Sequence, residues 1–267
     1  MPKLERQRLD VRETGSRIDI KFSRPEARNA LDFETWDDLD AVMREVQGRD
    51  DLHVVTLTGA GEAFSAGVDF KAISEALEVE REHFPSFIRR WSETVDRFER
   101  CAQPTIAAIN GPAIGAGFEI ALACDIRIAS ELAVFAMPQM MMGILPDVGG
   151  TSRLSRAVGG AIAKDLILSS RVVDAQEALR WGIVSRVVPA SLLTAEVDEL
   201  ADHIAGLPWP AAYLAMAVTE TGARLDSRRA EDLEAIANQM LLRNQSVWDL
   251  VERFMQSKGL KARTREP

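Results

Sequence analysis

Residues 110–119 read Asn-Gly-Pro-Ala-Ile-Gly-Ala-Gly-Phe-Glu, directly after the apolar run Thr-Ile-Ala-Ala-Ile at 105–109. That run predicts a buried strand, and the apolar residues 120–124 that follow predict a buried helix. The three glycines of the quoted stretch therefore lie where a strand turns into a helix. Such a junction points free backbone N–H groups into a cleft at the helix N-terminus, where an anion can bind.

A second junction of the same kind lies earlier in the chain. Residues 59–71 read Gly-Ala-Gly-Glu-Ala-Phe-Ser-Ala-Gly-Val-Asp-Phe-Lys and follow the β-branched run Val-Val-Thr-Leu-Thr at 54–58. Two junctions on neighbouring strands can aim two N–H donors at one oxygen, which is what an oxyanion hole requires. The alternative is that the glycines only make tight connections. Neither stretch has the spacing of a dinucleotide-binding or Walker motif.

Two carboxylates accompany these loops. Glu119 lies in an apolar run, where burial is costly unless the group is paired or functional, and where desolvation raises a carboxyl pKa toward neutrality. Asp147 lies in the stretch Leu-Pro-Asp-Val-Gly-Gly at 145–150. The alternative for Glu119 is a structural ion pair with an arginine, and the alternative for Asp147 is an ordinary turn.

Composition limits the class of protein. The chain has 267 residues, 46% of them hydrophobic and 27% charged, with a net charge of −9, which argues against general nucleic-acid binding. Its two cysteines cannot form a disulfide framework, so we expect a reducing, cytoplasmic location. The one apolar stretch of membrane-span length, 105–124, is interrupted by Asn110, Pro112 and Glu119, so we expect no membrane partner.

Strand and helix patterns alternate along the chain, which predicts an α/β core followed by a helical layer. We expect a core over 1–195 and a C-terminal helical region over 196–267. The strands are predicted at 17–22, 54–58, 105–109, 126–129 and 183–188. Helices are predicted at 33–46, at 74–100 with a break at Pro85, after Asp174, and over most of the chain from 191 onward.

Taken together, these motifs resemble the crotonase superfamily of enoyl-CoA hydratases and isomerases. The resemblance covers essentially the whole chain. It is carried by residues 24–31, 59–71, 110–127 and 145–154. It implies an α/β fold, a crotonase spiral of repeated ββα units with a C-terminal helical trimerisation region, and assembly as a homotrimer or a dimer of trimers.

The resemblance also implies a substrate, an acyl-CoA thioester whose carbonyl oxygen is held by two backbone N–H groups. By motif position these belong to Val68 and Ala116. Coenzyme A enters as part of the substrate, and no other cofactor and no metal are expected. The residues implied to bind the substrate are Arg28, Ala66, Gly67, Asp69, Lys71, Gly115 and Gln139, with Arg28 and Lys71 facing the phosphates of coenzyme A.

One position departs from the pattern of the hydratases, which use two glutamates. Glu119 matches the first, but Gln139 occupies the second, and an amide cannot exchange a proton near pH 7. A carboxylate appears instead at Asp147, where some isomerases of the superfamily carry a catalytic aspartate. We therefore expect a double-bond isomerase with Asp147 as the principal proton shuttle and Glu119 as its partner.

Two alternatives remain open. A hydratase could use Gln139 to position water beside Glu119, with or without help from Asp147. A member without catalytic activity could bind acyl-CoA only. The two carboxylates argue against this last possibility.

Overall fold

The computed structural model describes residues 7–74 and 84–259. It divides into two compact units, the first ending at Gly206 and the second beginning at Leu207. The helix Leu193–Ala205 belongs to the first unit, whereas the sequence pattern predicts that the C-terminal helical region starts at 196. This helix packs its buried face against the sheet of the first unit, which explains its assignment to that unit.

Six strands form the main sheet of the first unit. They are β1 (Leu9–Thr14), β2 (Arg17–Phe22), β3 (Val54–Gly59), β4 (Thr105–Ile109), β6 (Ile126–Ser130) and β9 (Arg186–Val188). Their spatial order is β1-β2-β3-β4-β6-β9. Only the β1–β2 pair is antiparallel, and the other four pairs are parallel.

The predicted strands at 17–22, 54–58, 105–109 and 126–129 are confirmed. The central strands are buried on both faces, which is why their sequences are continuously apolar. In β3, Val55 and Leu57 join the main core, while Val54 faces the helix Leu193–Ala205 on the other side. The strand predicted at 183–188 spans only Arg186–Val188, and β1 was not predicted because its charged, half-exposed edge hides the pattern.

A second, smaller sheet lies beyond the carboxyl ends of the main strands. It contains β5 (Ala113–Ile114), β7 (Val134–Ala136) and β8 (Val173–Asp174) in that order. Single bridges extend it, joining Ser65 to Ala113 and Leu31 to Val68. The loops that follow successive main strands are thereby hydrogen-bonded side by side.

The helices are α1 (Phe33–Gln47), α2 (Phe84–Glu99), α3 (Ala116–Ala123), α4 (Gly150–Ser169), α5 (Ala175–Arg180), α6 (Leu193–Ala205), α7 (Trp209–Gly222), α8 (Ser227–Leu242) and α9 (Gln245–Ser257). A main strand, a short second-sheet strand and a helix follow one another as β4–β5–α3. The same order recurs, with a 3-10 turn inserted, as β6–β7–α4. The predicted α/β fold of repeated ββα units with a helical C-terminal region is thus confirmed.

Part of one helix prediction lies outside the described residues. The helix predicted over 74–100 is described from Phe84 to Glu99, and residues 75–83 are not described. A helix also runs from residue 70 to 74. Across the described ranges, none of the helices combines the length and the apolar character needed to cross a bilayer.

The N-cap of α5 offers a test of the local structure. The Asp174 carboxylate accepts a hydrogen bond of 2.7 Å from the backbone N–H of Glu177. We expect Asp174→Ala to lower the free energy of unfolding by about 1 kcal/mol, because an orphan helix donor loses its acceptor. Denaturant unfolding measures this, and Asp174→Asn, which keeps an accepting oxygen, should lose less than half as much. Equal losses in both variants would show that the cap does not stabilise the helix.

Candidate active site

The candidate site lies at the N-terminal end of α3, beside the N–H groups of the first helical turn. The preceding residue, Gly115, donates its own N–H to the Ala136 carbonyl at 2.9 Å and is followed by Ala116, the first residue of the helix. Among the described residues, no acceptor is found for the Ala116 N–H. This amide is therefore available to a ligand.

The second amide belongs to Val68. The bridge to Leu31 uses the carbonyl of Gly67 (2.7 Å from Leu31 N) and the N–H of Asp69 (3.0 Å to Leu31 O). In a parallel bridge the residue between these two directs its own N–H to the opposite side. Within the described ranges the Val68 N–H has no acceptor either.

Gly67 brings the two amides together. Its φ is +85°, and a Cβ at this position would lie 2.5 Å from the Ile114 carbonyl oxygen and 3.3 Å from the Ala116 nitrogen. Only glycine permits so close an approach between the two loops. The sequence prediction placed both amides at one site, and the structure brings the two loops into contact there.

Glu119 lies on α3, one turn beyond Ala116, and is fully buried. Its Oε1 accepts hydrogen bonds from the backbone N–H groups of Val148 (3.1 Å) and Gly150 (2.8 Å). A Cβ at Gly150 would lie within 2.8 Å of three atoms of the Glu119 side chain, so glycine is required there. Within residues 7–74 and 84–259, Glu119 forms no ion pair with an arginine, and backbone amides hold its carboxylate instead.

The pKa of Glu119 is raised to about 7, chiefly by burial, and the nearby charge of Asp147 acts in the same direction. The hydrogen bonds from Gly150 and Val148 and the positive charge of Arg153 act in the opposite direction. A carboxyl group with a pKa near neutrality can both accept and return a proton.

Gln139 contacts Glu119 from the 3-10 turn Pro138–Met142. Its Nε2 donates to Glu119 Oε2 at 2.9 Å, which occupies one side of the amide. Its Oε1 is buried, and no residue in the described part of the chain donates a hydrogen bond to it. An unpartnered buried acceptor is costly, so a donor from a ligand or water would be stabilised at this atom.

Asp147 lies in the loop that connects this turn to α4. The residue is exposed, yet neighbouring protein atoms shield its carboxyl group from part of the solvent and thereby raise its pKa. Its backbone carbonyl accepts a hydrogen bond of 3.1 Å from Ser92 Oγ. Asp147 directly precedes Val148, whose N–H binds Glu119, and the charge of Asp147 raises the pKa of Glu119, so the two carboxyl groups lie near each other.

The remaining predicted binding residues surround the Val68 loop. Ala66 donates its N–H to the Arg28 carbonyl at 2.9 Å, and the side chains of Arg28 and Lys71 are exposed. Asp69 is already engaged, because its carboxylate pairs with Arg24 at 2.9 Å and accepts the Lys71 N–H at 3.1 Å. Asp69 is thus held by the protein, whereas the two cations face solvent.

Sequence patterns did not reveal two residues that hold the loops of the site in place. Arg24 holds Asp69, and Arg153 holds the loop that carries Val148. Both arginines lie within the motifs that carry the resemblance, but neither position by itself indicates a role.

No group of three or more His, Cys, Asp or Glu side chains in the described part of the chain is arranged to hold a metal ion.

The raised pKa of Glu119 predicts a pH-dependent stability. Between the ordinary value of 4.5 and the folded value of about 7, the folded state keeps a proton that the unfolded state has released. Stability therefore falls as the pH rises through this window. The Glu119→Gln substitution removes this titratable group. We therefore expect its free energy of unfolding to rise by about 3 kcal/mol relative to that of the unmutated protein as the pH increases from 4.5 to 7.5.

Denaturant unfolding at a series of pH values measures this difference. Glu26→Gln, made at an exposed glutamate in the 3-10 turn Pro25–Ala27, serves as a control and should show no comparable change. If the difference in the free energy of unfolding between Glu119→Gln and the unmutated protein does not change with pH, the pKa of Glu119 does not lie near neutrality.

Comparison with known proteins identifies the family. The enoyl-CoA hydratase/isomerase family model matches residues 12–257. A short-chain-enoyl-CoA hydratase of Clostridium acetobutylicum is 40% identical over 202 residues, covering 75% of this chain and 76% of the relative. The crystal structure of an enoyl-CoA hydratase from Bacillus anthracis has a TM-score of 0.88 and 33% identity, covering 94% and 97% of the two chains.

A third comparison concerns a ligand complex. The structure of a putative enoyl-CoA hydratase from Thermobifida fusca with acetoacetyl-CoA has a TM-score of 0.80 and 30% identity, and it covers 89% of this chain and 96% of its own. The match of the family model over nearly the whole chain, together with these identities, decides the assignment. This chain belongs to the enoyl-CoA hydratase/isomerase family and is an enzyme of the crotonase superfamily.

Proposed function

We propose that this enzyme shifts a carbon–carbon double bond in an acyl-CoA thioester by proton transfer through an enolate. One observation carries the proposal. Two carboxyl groups, Glu119 and Asp147, share the site, and the protein raises the pKa of both. Pairs of such groups are suited to removing a proton at one carbon and returning it at another.

The substrate class follows from the two free amides. A thioester carbonyl oxygen placed between the N–H groups of Val68 and Ala116 would gain two hydrogen bonds as negative charge develops on it. The related Thermobifida fusca protein was solved with acetoacetyl-CoA, itself an acyl-CoA thioester. The exposed cations Arg28 and Lys71 are available to the phosphates of coenzyme A.

The reaction can be written with all atoms balanced. A carboxylate removes a proton from the α-carbon of a 3-enoyl thioester, and the electron pair of the broken C–H bond moves into the conjugated system, so that charge accumulates on the carbonyl oxygen. The protonated carboxyl group then returns the proton to the γ-carbon, which forms the 2-enoyl thioester. Asp147 is proposed as the principal shuttle and Glu119 as its partner, and the reverse reaction uses the same steps.

The second candidate is addition of water to a 2-enoyl thioester. Here the observation is the buried Oε1 of Gln139, which has no partner while its Nε2 binds Glu119. A water molecule donating to this oxygen would lie beside the Glu119 carboxylate. Several relatives bear hydratase names, but Gln139 itself cannot transfer a proton.

The family resemblance also implies a homotrimer or a dimer of trimers, and we include that assembly in the proposal. In the second unit, Ile236, Met240 and Phe254 on α8 and α9 are exposed. Large apolar side chains exposed on neighbouring helices are typical of surfaces that another subunit covers.

A product assay tests the proposed reaction. The purified enzyme is incubated separately with 2-enoyl, 3-enoyl and dienoyl thioesters of coenzyme A, and products are measured by mass and ultraviolet absorbance. We expect products of unchanged mass with a moved double bond. A gain of one water without isomerisation would instead support the hydratase, and measurable binding without any product would support a module that only binds acyl-CoA.

Substitution of Asp147 tests its role within the site. We expect Asp147→Asn to lower kcat at least 100-fold, because the amide cannot carry a proton, while the affinity for coenzyme A thioesters changes less than about threefold. Steady-state kinetics and calorimetric binding provide the two measurements. Asp50→Asn, at an exposed turn before β3, is the control and should leave both values unchanged. Full activity in Asp147→Asn would assign Asp147 to the turn alone.

A further inference from the structure

We infer that Arg153 is a positioning residue, which orients the backbone amides that bind Glu119 although it does not touch the substrate. This inference rests on the proposed role of Glu119 in proton transfer. Arg153 lies on the first turns of α4, and its side chain is only 4% exposed. A buried guanidinium needs several acceptors to be stable, and those that Arg153 finds explain what it does.

Its first acceptor belongs to the active-site loop. Arg153 Nη1 donates to the Val148 carbonyl at 2.7 Å, and the Arg153 backbone N–H donates to the Gly149 carbonyl at 3.1 Å. The amides on either side of these carbonyls, those of Val148 and Gly150, are the two that hold Glu119 Oε1. Arg153 therefore fixes the orientation of a loop whose N–H groups face the catalytic carboxyl group.

The guanidinium is itself anchored on the opposite side. Asp96 and Glu99, in the last turn of α2, accept hydrogen bonds from Arg153 Nη2 (2.5 Å) and Nε (2.8 Å). Every side of the planar group is thus occupied, with the loop carbonyl at one edge and two carboxylates at the others. This geometry suits arginine and does not suit lysine, whose single ammonium cannot reach all three acceptors.

The charges around Glu119 give the direction of the effect. Asp147, in the loop before α4, raises the pKa of Glu119, while Arg153 and the amide donors of Val148 and Gly150 lower it. Gln139, from the 3-10 turn, is neutral. Loss of Arg153 removes a positive charge and frees the loop to turn its amides away, and both changes favour the protonated form of Glu119.

The chain offers a matched control in Arg156. Arg156 Nη2 also binds Glu99, at 2.5 Å from Oε1, but its side chain is half exposed, and its only acceptor among the described residues is Glu99. Arg156→Met therefore removes an arginine from the same acidic cluster and leaves the Val148 carbonyl bound. A general effect of charge or packing in this region would appear in both variants.

The test combines Arg153→Met with Glu119→Gln in the full-length protein. The Glu119→Gln substitution is made in the unmutated protein, in Arg153→Met and in Arg156→Met. In each protein, the change in the free energy of unfolding that it causes is measured against pH. The pH at which this change levels off reports the pKa of Glu119 in the folded state. We expect this pH to rise by about one unit in Arg153→Met and to stay within about 0.3 unit in Arg156→Met. The readout needs no substrate, so it remains valid if the proposed reaction is wrong.

The pH dependence of kcat provides a second measurement. At pH 7, steps that need ionised Glu119 should slow about fivefold in Arg153→Met, and the acid limb of the profile should move upward by the same one unit, with little change in KM. If Arg153→Met does not fold, Arg153→Lys replaces it, with the same direction of shift expected. An unchanged Glu119 pKa in the folded variant, or an equal shift in Arg156→Met, would overturn the inference.

Discussion

The site depends on a buried carboxylate that the backbone holds in place. Glu119 lies in a helix whose eight residues are all buried, and an isolated charge there would be very costly. Two amide N–H groups and the Gln139 amide supply three hydrogen bonds. They compensate only part of the desolvation, and the remainder keeps the pKa of the group near 7. The same incomplete compensation that costs stability at neutral pH makes the group able to exchange protons.

The small second sheet provides the rest of the geometry. Its bridges join the loops that follow successive main strands, so that the Val68 loop and the start of α3 lie side by side. The bridge to Leu31 turns the N–H of Val68 outward, and the N–H of Ala116 lies at the start of α3; neither has an acceptor among the described residues. The two proposed oxyanion donors are backbone groups, so they do not depend on the side chains of Val68 or Ala116.

The proposed isomerase function depends on the side chains around Glu119. Gln139 donates a hydrogen bond to Glu119, and in the proposal Asp147 supplies the second carboxyl group from the following loop. The Arg153 cluster connects that loop to α2. The pKa of Glu119, on α3, is therefore affected by residues on two other elements, α4 and the loop between the 3-10 turn and α4.

Local sequence was sufficient to predict those elements whose pattern is formed by residues close together in the chain. The central strands and the two glycine-rich junctions follow from apolar runs and turn glycines. Edge strand β1 and the two- to three-residue strands of the second sheet did not, because half-exposed or very short segments lack a periodic pattern.

Only the tertiary structure determined the pKa values of the acidic groups in the site. That Glu119 is held by backbone amides and not by an arginine, that Gln139 keeps one buried oxygen without a partner, and that Arg153 supports the loop from behind all depend on contacts between distant segments. The sequence by itself indicated the central strands, the glycine-rich junctions and the family that the fold resembles, and that resemblance implied the candidate site residues. Only the folded chain determined their acidity, because desolvation and hydrogen bonding depend on the surroundings in space and not on neighbours in sequence.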